Sequence, residues 1–456
     1  MFVSPRPKLS ISYRIYNNRR RPPGSTPAGP RSVHWGLTGR ARSAKKDPKP
    51  PERKDIRMTR TARRLVPSLI VAALAVASAP SPQGDVSPLA IVHGPYLTNP
   101  GSEEMTVLWS TDRPSVSWVE YASGGNFKTF PQFGGLVRTA RSSRHGLFDA
   151  HRKQHLVRLG GLEPGKTYRY RVVSKEILQF EPYEVVFGTT AASEVQEFRT
   201  LDPAKAEFSF VVFQDLHGQG ARLEKLSAMA DLDQVDLAFF NGDTVEAISG
   251  EDDLFRGFLD PATKLFARSL PFIFVRGNHD TRGAWARRLE DYIPPREGRY
   301  YYAFDHGPVR FVVLDAGEDK PDDSPVYAGL VDFDRYRLEE ADWLKAEIAS
   351  DAFRRAAFRV VLVHMPPFGP SGYGVERLTK AWGPWLNEGR VEVVLSGHYH
   401  KPYRLDPFPG KNAFPVLGGP NEGLIKGRVG RGQIQLQVVD IKGNVVDELR
   451  LPAPPK

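Results

Sequence analysis

Cysteine is absent from all 456 residues. That excludes disulfides, thiolate metal ligands, a cysteine nucleophile and a lipidated N-terminal cysteine. Long hydrophobic runs are scarce. "LVPSLIVAALAVASA" (65–79) is about 15 residues long, short of the roughly 20 that a spanning helix needs. There is no internal repeat, no Gly-x-Ser-x-Gly elbow and no G-x-x-x-x-G-K-[ST] loop, which removes serine-elbow and P-loop chemistry. Acidic residues are missing mainly from one end. Residues 1–80 carry 18 Lys+Arg and only 3 Asp+Glu, so the overall charge of +10 belongs to that leader. Residues 81–456 hold 45 basic and 50 acidic residues, a net of −5. The folded part is therefore not built to attract polyanions, and no nucleic-acid partner is expected.

What is present has three parts, as the length suggests. Arg60, Arg63 and Arg64 precede the apolar stretch, and Ala75-Val76-Ala77 follows within it. A basic start, a short apolar core and small residues read as a signal peptide over 58–79, and Arg63-Arg64 permits twin-arginine export. The alternative is an uncleaved anchor. Residues 1–57, rich in Pro and Arg, read as an over-extended translation start or a disordered tail. An exported protein, with no stable membrane span once the signal is removed, is the expectation.

Residues 91–200 show short alternating segments separated by turns: "MTVLWST" (105–111), "VSWVEYA" (116–122), "HLVRLGGL" (155–162), "TYRYRVV" (167–173) and "EFRT" (197–200). This is the grammar of an antiparallel β-sandwich. "LEPGKTY" (162–168) resembles the tyrosine corner of fibronectin type III-like domains, with the Tyr168 hydroxyl bonding to nearby backbone and Trp109 filling the core. Residues 129–154 read as a long surface loop. After "LDPAKAE" (201–207) apolar runs alternate with helical patterns, so 206–451 is expected to be an α/β (α+β) domain with buried sheets. Leu223, Leu226, Met229 and Ala230 (221–232) and Leu338, Ala341, Leu344 and Ile348 (337–350) mark helix faces toward the core. Residues 299–315 and 432–451 read as hairpins.

Five apolar strands in this second part end on polar chemistry. "FSFVVF" runs into Asp215-Leu216-His217, "VDLAFF" into Asn241-Gly242-Asp243 and "PFIFV" into Gly277-Asn278-His279-Asp280. "FRVVLV" ends at His364, and "VEVVL" at Gly397-His398-Tyr399-His400. Each motif alone also fits a capped or tight turn. Ligands of α/β sheets gather outside the carboxyl ends of strands, however, and five such ends converge on one crevice. Its oxygen and imidazole donors suit divalent or trivalent first-row metals. One ion would leave several donors idle, whereas two sharing a carboxylate would use all but one. Gly218, Gly242, Gly277 and Gly397 supply turns that a side chain would strain.

In this order, the five blocks resemble those of the calcineurin-like metallophosphoesterases. With the β domain in front, the layout resembles purple acid phosphatases. The resemblance implies a double β-sheet sandwich flanked by helices, preceded by an all-β fibronectin type III-like sandwich. It implies two metal ions, Fe, Mn or Zn, with one on Asp215, His217, His400 and a bridging Asp243. The other would sit on Asp243, Asn278, His364 and His398. His279 would stay off the metals as acid or charge stabiliser, with Asp280 holding its ring. The purple enzymes carry a metal-binding tyrosine three residues after the bridging aspartate. Here that residue is Glu246, so a colourless or weakly coloured centre is expected.

The implied activity is hydrolysis of phosphate esters by attack of a metal-bound hydroxide, on a phosphorylated small-molecule or ester substrate, with monoesters favoured. Diesters are the alternative within the same chemistry. An extracellular binding protein with an inactive phosphatase domain is the alternative of another class. "FGPSGYG" (368–374) and "LGGPNEGL" (417–424) are expected to frame the pocket, and Tyr399 either to touch substrate or to pack beneath the histidines.

Overall fold

The structure, a computed structural model, describes residues 87–123, 137–430 and 432–453. The leader and its apolar stretch, read above as a tail and a signal peptide, lie outside the described residues. Among those described, no helix is long and apolar enough to cross a membrane.

The second domain is built from two facing sheets. Strands Phe208–Phe213, Leu237–Asn241 and Phe272–Val275 run parallel, and Gly423–Gly430, Gln433–Asp440 and Val445–Pro452 extend them as an antiparallel edge. The facing sheet has the order Tyr302–His306, Val309–Val313, Phe358–Leu362, Val393–Ser396, Val416–Gly418 and Tyr403–Leu405. Both expected hairpins are present.

Strand periodicity explains why these runs are apolar throughout. Phe210 and Val212 point between the sheets and meet Phe304, Phe311 and Leu362, while Val211 and Phe213 point outward onto helix residues Leu223 and Leu226. In the facing sheet Val360 and Leu362 look inward, and Val361 and Val363 pack on Leu344, Leu378 and Trp382. A strand covered on both faces has no polar side to show. Phe239 and Phe311, with ring centroids 5.3 Å apart, tie the two inner faces together. The sequence exposes the five polar strand ends because everything before them is buried.

The helix Phe333–Ile348 departs from the expected face. Leu338 is 56% exposed, and the buried positions are Arg337, Glu340, Ala341, Leu344 and Ile348. The reason is the irregular segment 315–319 beneath the helix. Its backbone polar groups need partners: Arg337 donates to the Ala316 and Glu318 carbonyls, and Glu340 accepts from the Asp315 amide. Satisfying that backbone outranks burying one leucine.

In the first domain two of the expected segments merge and further strands appear. The two segments around Pro114 form one strand, Glu104–Ser123, whose register shifts between Ser110 and Ser115. Its first half pairs with Ile91–Thr98 and Arg152–Gly160, and its second half with Thr167–Glu181 and Arg138–Ala140. Both halves feed one core holding Trp109, Val119, Tyr121, Tyr168 and Phe198. The Glu163 amide donates to the Tyr168 hydroxyl at 2.9 Å, as the corner motif requires, and Trp109 donates to Ser174. The described part of 129–154 is not simply a loop, since it contains Arg138–Ala140 and a small hairpin, Ser143–Arg144 with Leu147–Phe148. Strand Glu184–Ala192, with no apolar alternation to announce it, closes the edge.

The two domains share a sheet. Thr98 bridges Phe272 in parallel register, and the Thr98 hydroxyl donates to the Phe272 carbonyl. Tyr96 and Asn99 donate to the carbonyls of Tyr292 and Pro294, and Tyr170 to that of Arg268. The β domain is thus a wall of the second core, with Tyr96 and Leu108 inside it.

His155 tests the β-domain core. It is buried against Thr111 and Ser115, whose hydroxyls lie 3.0 Å from its Nε2. Burial, and then the nearby Arg152 charge, depresses its pKa to about 3. A depressed imidazole is neutral in the fold while the unfolded chain still takes up protons. Its contribution is therefore complete above about pH 6.5 and is lost as pH falls toward about 3. Between about pH 7 and about pH 4.5 the wild type should lose roughly 2.5 kcal/mol more urea stability than His155→Gln. Parallel pH dependences for the two proteins would contradict this.

Candidate metal centre

The five strand ends meet at one edge of the double sheet, three from one sheet and two from the other. There the backbone turns sharply. Asp215, His217, Asp243, His398 and His400 all have φ between 49° and 74°, the left-handed region that is rare outside glycine. Such residues cost about 1–3 kcal/mol each and gather where function requires the geometry. Gly277 is needed for a different reason, because a Cβ there would lie 2.2 Å from the Asp243 amide nitrogen.

Three groups of donors gather here: His217, Glu246 and His279 form one, and the expected ligands form two donor sets. Asp215, His217 and His400 make one, and Asp243, His364 and His398 the other, with donor atoms in each within 4.8 Å of one another. Asn278 joins the second set, its Oδ1 being 3.1 Å from His398 Nδ1. Asp243 Oδ2 lies centrally, 3.0 Å from His364 Nε2 and 3.9 Å from His217 Nε2. All seven residues expected to hold metal are brought together.

Two contacts show what these sets lack. His364 Nδ1 lies 2.8 Å from the Asn241 carbonyl, which can only accept, so the ring's proton sits there. Its fully buried Nε2 then faces the Asp243 carboxylate at 3.0 Å, where a second proton or a cation must join the two. His217 Nδ1 is likewise committed to Glu246 Oε2 at 2.8 Å, leaving Nε2 facing His400 Nε2 at 3.0 Å. Lone pairs held this close repel unless a proton or a cation lies between them. Burial alone would raise the Asp243 carboxyl and lower the His364 imidazole. Their mutual attraction outweighs it, holding Asp243 below the usual carboxylate range and lifting His364 to about 10. His398 moves the other way, to about 4, through burial and then the His364 charge. Buried oxygen and imidazole donors crowded this closely fit a pair of cations, which would displace the bridging protons.

Around the donors stands a supporting layer. Asp280 does not hold the His279 ring, contrary to expectation. Its carboxylate accepts from the amides of Asp243, Thr244 and Gly277 and from the Thr244 hydroxyl. That fixes the turn carrying Asp243, and burial followed by the Asp243 charge raises Asp280 to about 6. His279 stands outside both donor sets. Its Nδ1 is 2.8 Å from the Glu246 carbonyl, and its Nε2 is 2.8 Å from Arg282 Nη1 and 3.9 Å from Asp243 Oδ2. Glu246, at the position of the purple enzymes' tyrosine, orients His217 instead. The Tyr399 hydroxyl donates to the Pro370 carbonyl, and its ring packs edge-on to His398, so it braces the 368–374 loop. Sequence reading missed Arg282 and Glu318. The only hint was Arg282's place two residues after the fourth residue of the Gly277–Asp280 block.

Comparison with known proteins agrees with this geometry. Residues 208–402 match the calcineurin-like phosphoesterase family. Residues 92–200 match the purple acid phosphatase N-terminal domain, so the two matched domains follow one another in this chain. It is 23% identical to purple acid phosphatase 18 of Arabidopsis thaliana over 67% of this chain, and spans 64% of that relative's length. It is 24% identical to purple acid phosphatase 22 of the same plant, with 72% of each chain covered. A solved purple acid phosphatase from yellow lupin (Lupinus luteus) seeds shares the fold, with a TM-score of 0.57 at 15% identity over 78% of this chain and 74% of that one.

Removing the clamp should be felt in both stability and metal content. Asp280→Ala leaves three buried amides unpaired, and should cost about 3 kcal/mol in urea unfolding while reducing bound metal. A cost below about 1 kcal/mol would mean that those amides find other acceptors.

Proposed function

We propose that this protein is an exported phosphoesterase with two metal ions, acting on phosphate monoesters in preference to diesters. The observation that carries the reading is the central carboxylate of Asp243, whose Oδ2 lies within 3.9 Å of imidazole nitrogens from both donor sets. One ion would be held by Asp215, His217, His400 and Asp243, the other by Asp243, Asn278, His364 and His398. Bound there, the pair would neutralise phosphate oxygens and acidify water, as two-metal hydrolases do.

This chain's own residues prepare that chemistry. Asn241 and Glu246 fix the tautomers of His364 and His217, so each offers Nε2. Such partners hold ligand rings in place before metal arrives. Asp280 pins the turn at Asp243, and the αL turns at Asp215, His217, His398 and His400 aim the remaining donors. His279, off both sets, accepts from Arg282 and would stabilise charge only through that guanidinium. The acid role expected for it is not supported by its hydrogen bonds, because its one proton faces the Glu246 carbonyl.

Export rests on the basic and apolar leader, and a small substrate rests on the net charge of −5 over 81–456. Glu246 in place of tyrosine supports a colourless centre. The β domain, fibronectin-like in its tyrosine corner, buttresses the catalytic core through the shared sheet.

The test is metal analysis of the purified protein, with hydrolysis of an aryl phosphate monoester and a diester, each assayed with added manganese, iron or zinc. About two ions per chain, faster monoester cleavage, loss on chelation and recovery on add-back are expected. Asp243→Asn should bind at most one ion and lose roughly 1000-fold or more in turnover, because a neutral amide is a poor bridge between two cations. A protein that binds no metal and cleaves neither ester would overturn the reading.

A further inference from the structure

We infer that Arg282 is the cationic group that meets a phosphoryl oxygen of the substrate, aimed by His279 and held by the buried carboxylate of Glu318. The inference rests on the phosphoesterase reading above and adds to it a group that belongs to neither donor set.

The geometry leaves Arg282 little freedom. Its Nε lies 3.1 Å from Glu318 Oε1 and its Nη2 3.0 Å from Glu318 Oε2, a two-pronged pairing with a side chain only 2% exposed. Its own carbonyl accepts from the Ile248 amide, which clamps the backbone. Glu318 is braced in turn by the hydroxyls of Thr281 and Tyr327. This pairing uses Nε and Nη2 and turns Nη1 toward the centre, where it meets His279 Nε2 at 2.8 Å.

Hydrogen-bond direction then assigns the roles. A guanidinium has five N–H donors and no acceptor, so His279 Nε2 must accept from Arg282. A backbone carbonyl only accepts, so His279 Nδ1 must donate to Glu246. Both ring nitrogens are thus committed, and Nε2 faces the guanidinium rather than offering a proton to a substrate. Each Nη of arginine carries two protons, and Nη1 spends one on His279. The other remains beside the ring nitrogen that is 3.9 Å from Asp243 Oδ2.

A salt bridge that served only to neutralise Glu318 would need neither the His279 contact nor partial exposure, yet the Arg282 side chain is 29% exposed. A fixed guanidinium suits a tetrahedral oxyanion with two or three oxygens to share. His279 is accordingly a positioning residue for Arg282.

The experiment uses the full metal-loaded protein and Arg282→Lys, which keeps a cation for Glu318 but lacks the fork. The dissociation constant for inorganic phosphate is read by calorimetry, alongside metal content, thermal midpoint and kinetics with an aryl phosphate. Arg282→Lys should keep its metal and its thermal midpoint, while phosphate binding weakens about tenfold. Turnover should fall by roughly 100-fold. Arg282→Ala should regain part of its turnover when guanidinium ion is added, a recovery that a purely structural role does not produce. His279→Ala should retain metal and lose phosphate affinity as Arg282→Lys does. Phosphate affinity and kcat/KM within about twofold of wild type in Arg282→Lys would overturn the inference while leaving the phosphoesterase reading standing. A wild-type protein that neither binds phosphate nor cleaves any ester would overturn both.

Discussion

The structure is organised around imidazoles and carboxylates crowded onto one point. His364 Nε2 and Asp243 Oδ2 face each other at 3.0 Å in a site closed to water, and His217 and His400 do the same at its mouth. Without metal, a second proton on His364, whose pKa is lifted to about 10, and the ring proton of His400 can bridge these contacts, and cations would take the place of both. A fold that spends stability to hold such groups together fits cations between them. The left-handed turns at five of the seven donors follow from the same demand, since side chains from five separate strands must be bent onto two points.

What resists this strain is the double sheet. Its inner faces are locked by aromatic pairs such as Phe239 with Phe311, and its outer faces are covered by helices, so the strand ends have little room to relax. The β domain adds a wall, sharing the sheet at Thr98 and Phe272 and placing Tyr96 inside the second core. Rigid strands with short turns are a sound base for donors that must be placed to within fractions of an ångström.

The layer beyond the donors distinguishes roles that residue type alone blurs. Asp280 and Glu318 are both buried acids near the centre, yet one holds a backbone turn and the other an arginine. His279 and His364 are both imidazoles at strand ends. The first accepts from Arg282, while the second faces the Asp243 carboxylate at 3.0 Å. Glu246 occupies the purple enzymes' tyrosine position and works through the far nitrogen of His217.

The sequence by itself determined the buried strands, the polar residue that ends each one and the seven donors. Those features are local: an apolar run doubly covered, a glycine at a turn, a donor two or three residues on. It also determined the tyrosine corner at Tyr168, because that bond spans only five residues. Only the tertiary structure decided that Leu338 faces solvent, that Asp280 serves amides and that Arg282 reaches the centre. In each case the deciding partner comes from another segment: the backbone at 315–319, the amides of Asp243 and Thr244, or the carboxylate of Glu318. Hydrogen bonds between distant segments leave no periodicity in the chain that makes them, so they become legible only once it has folded.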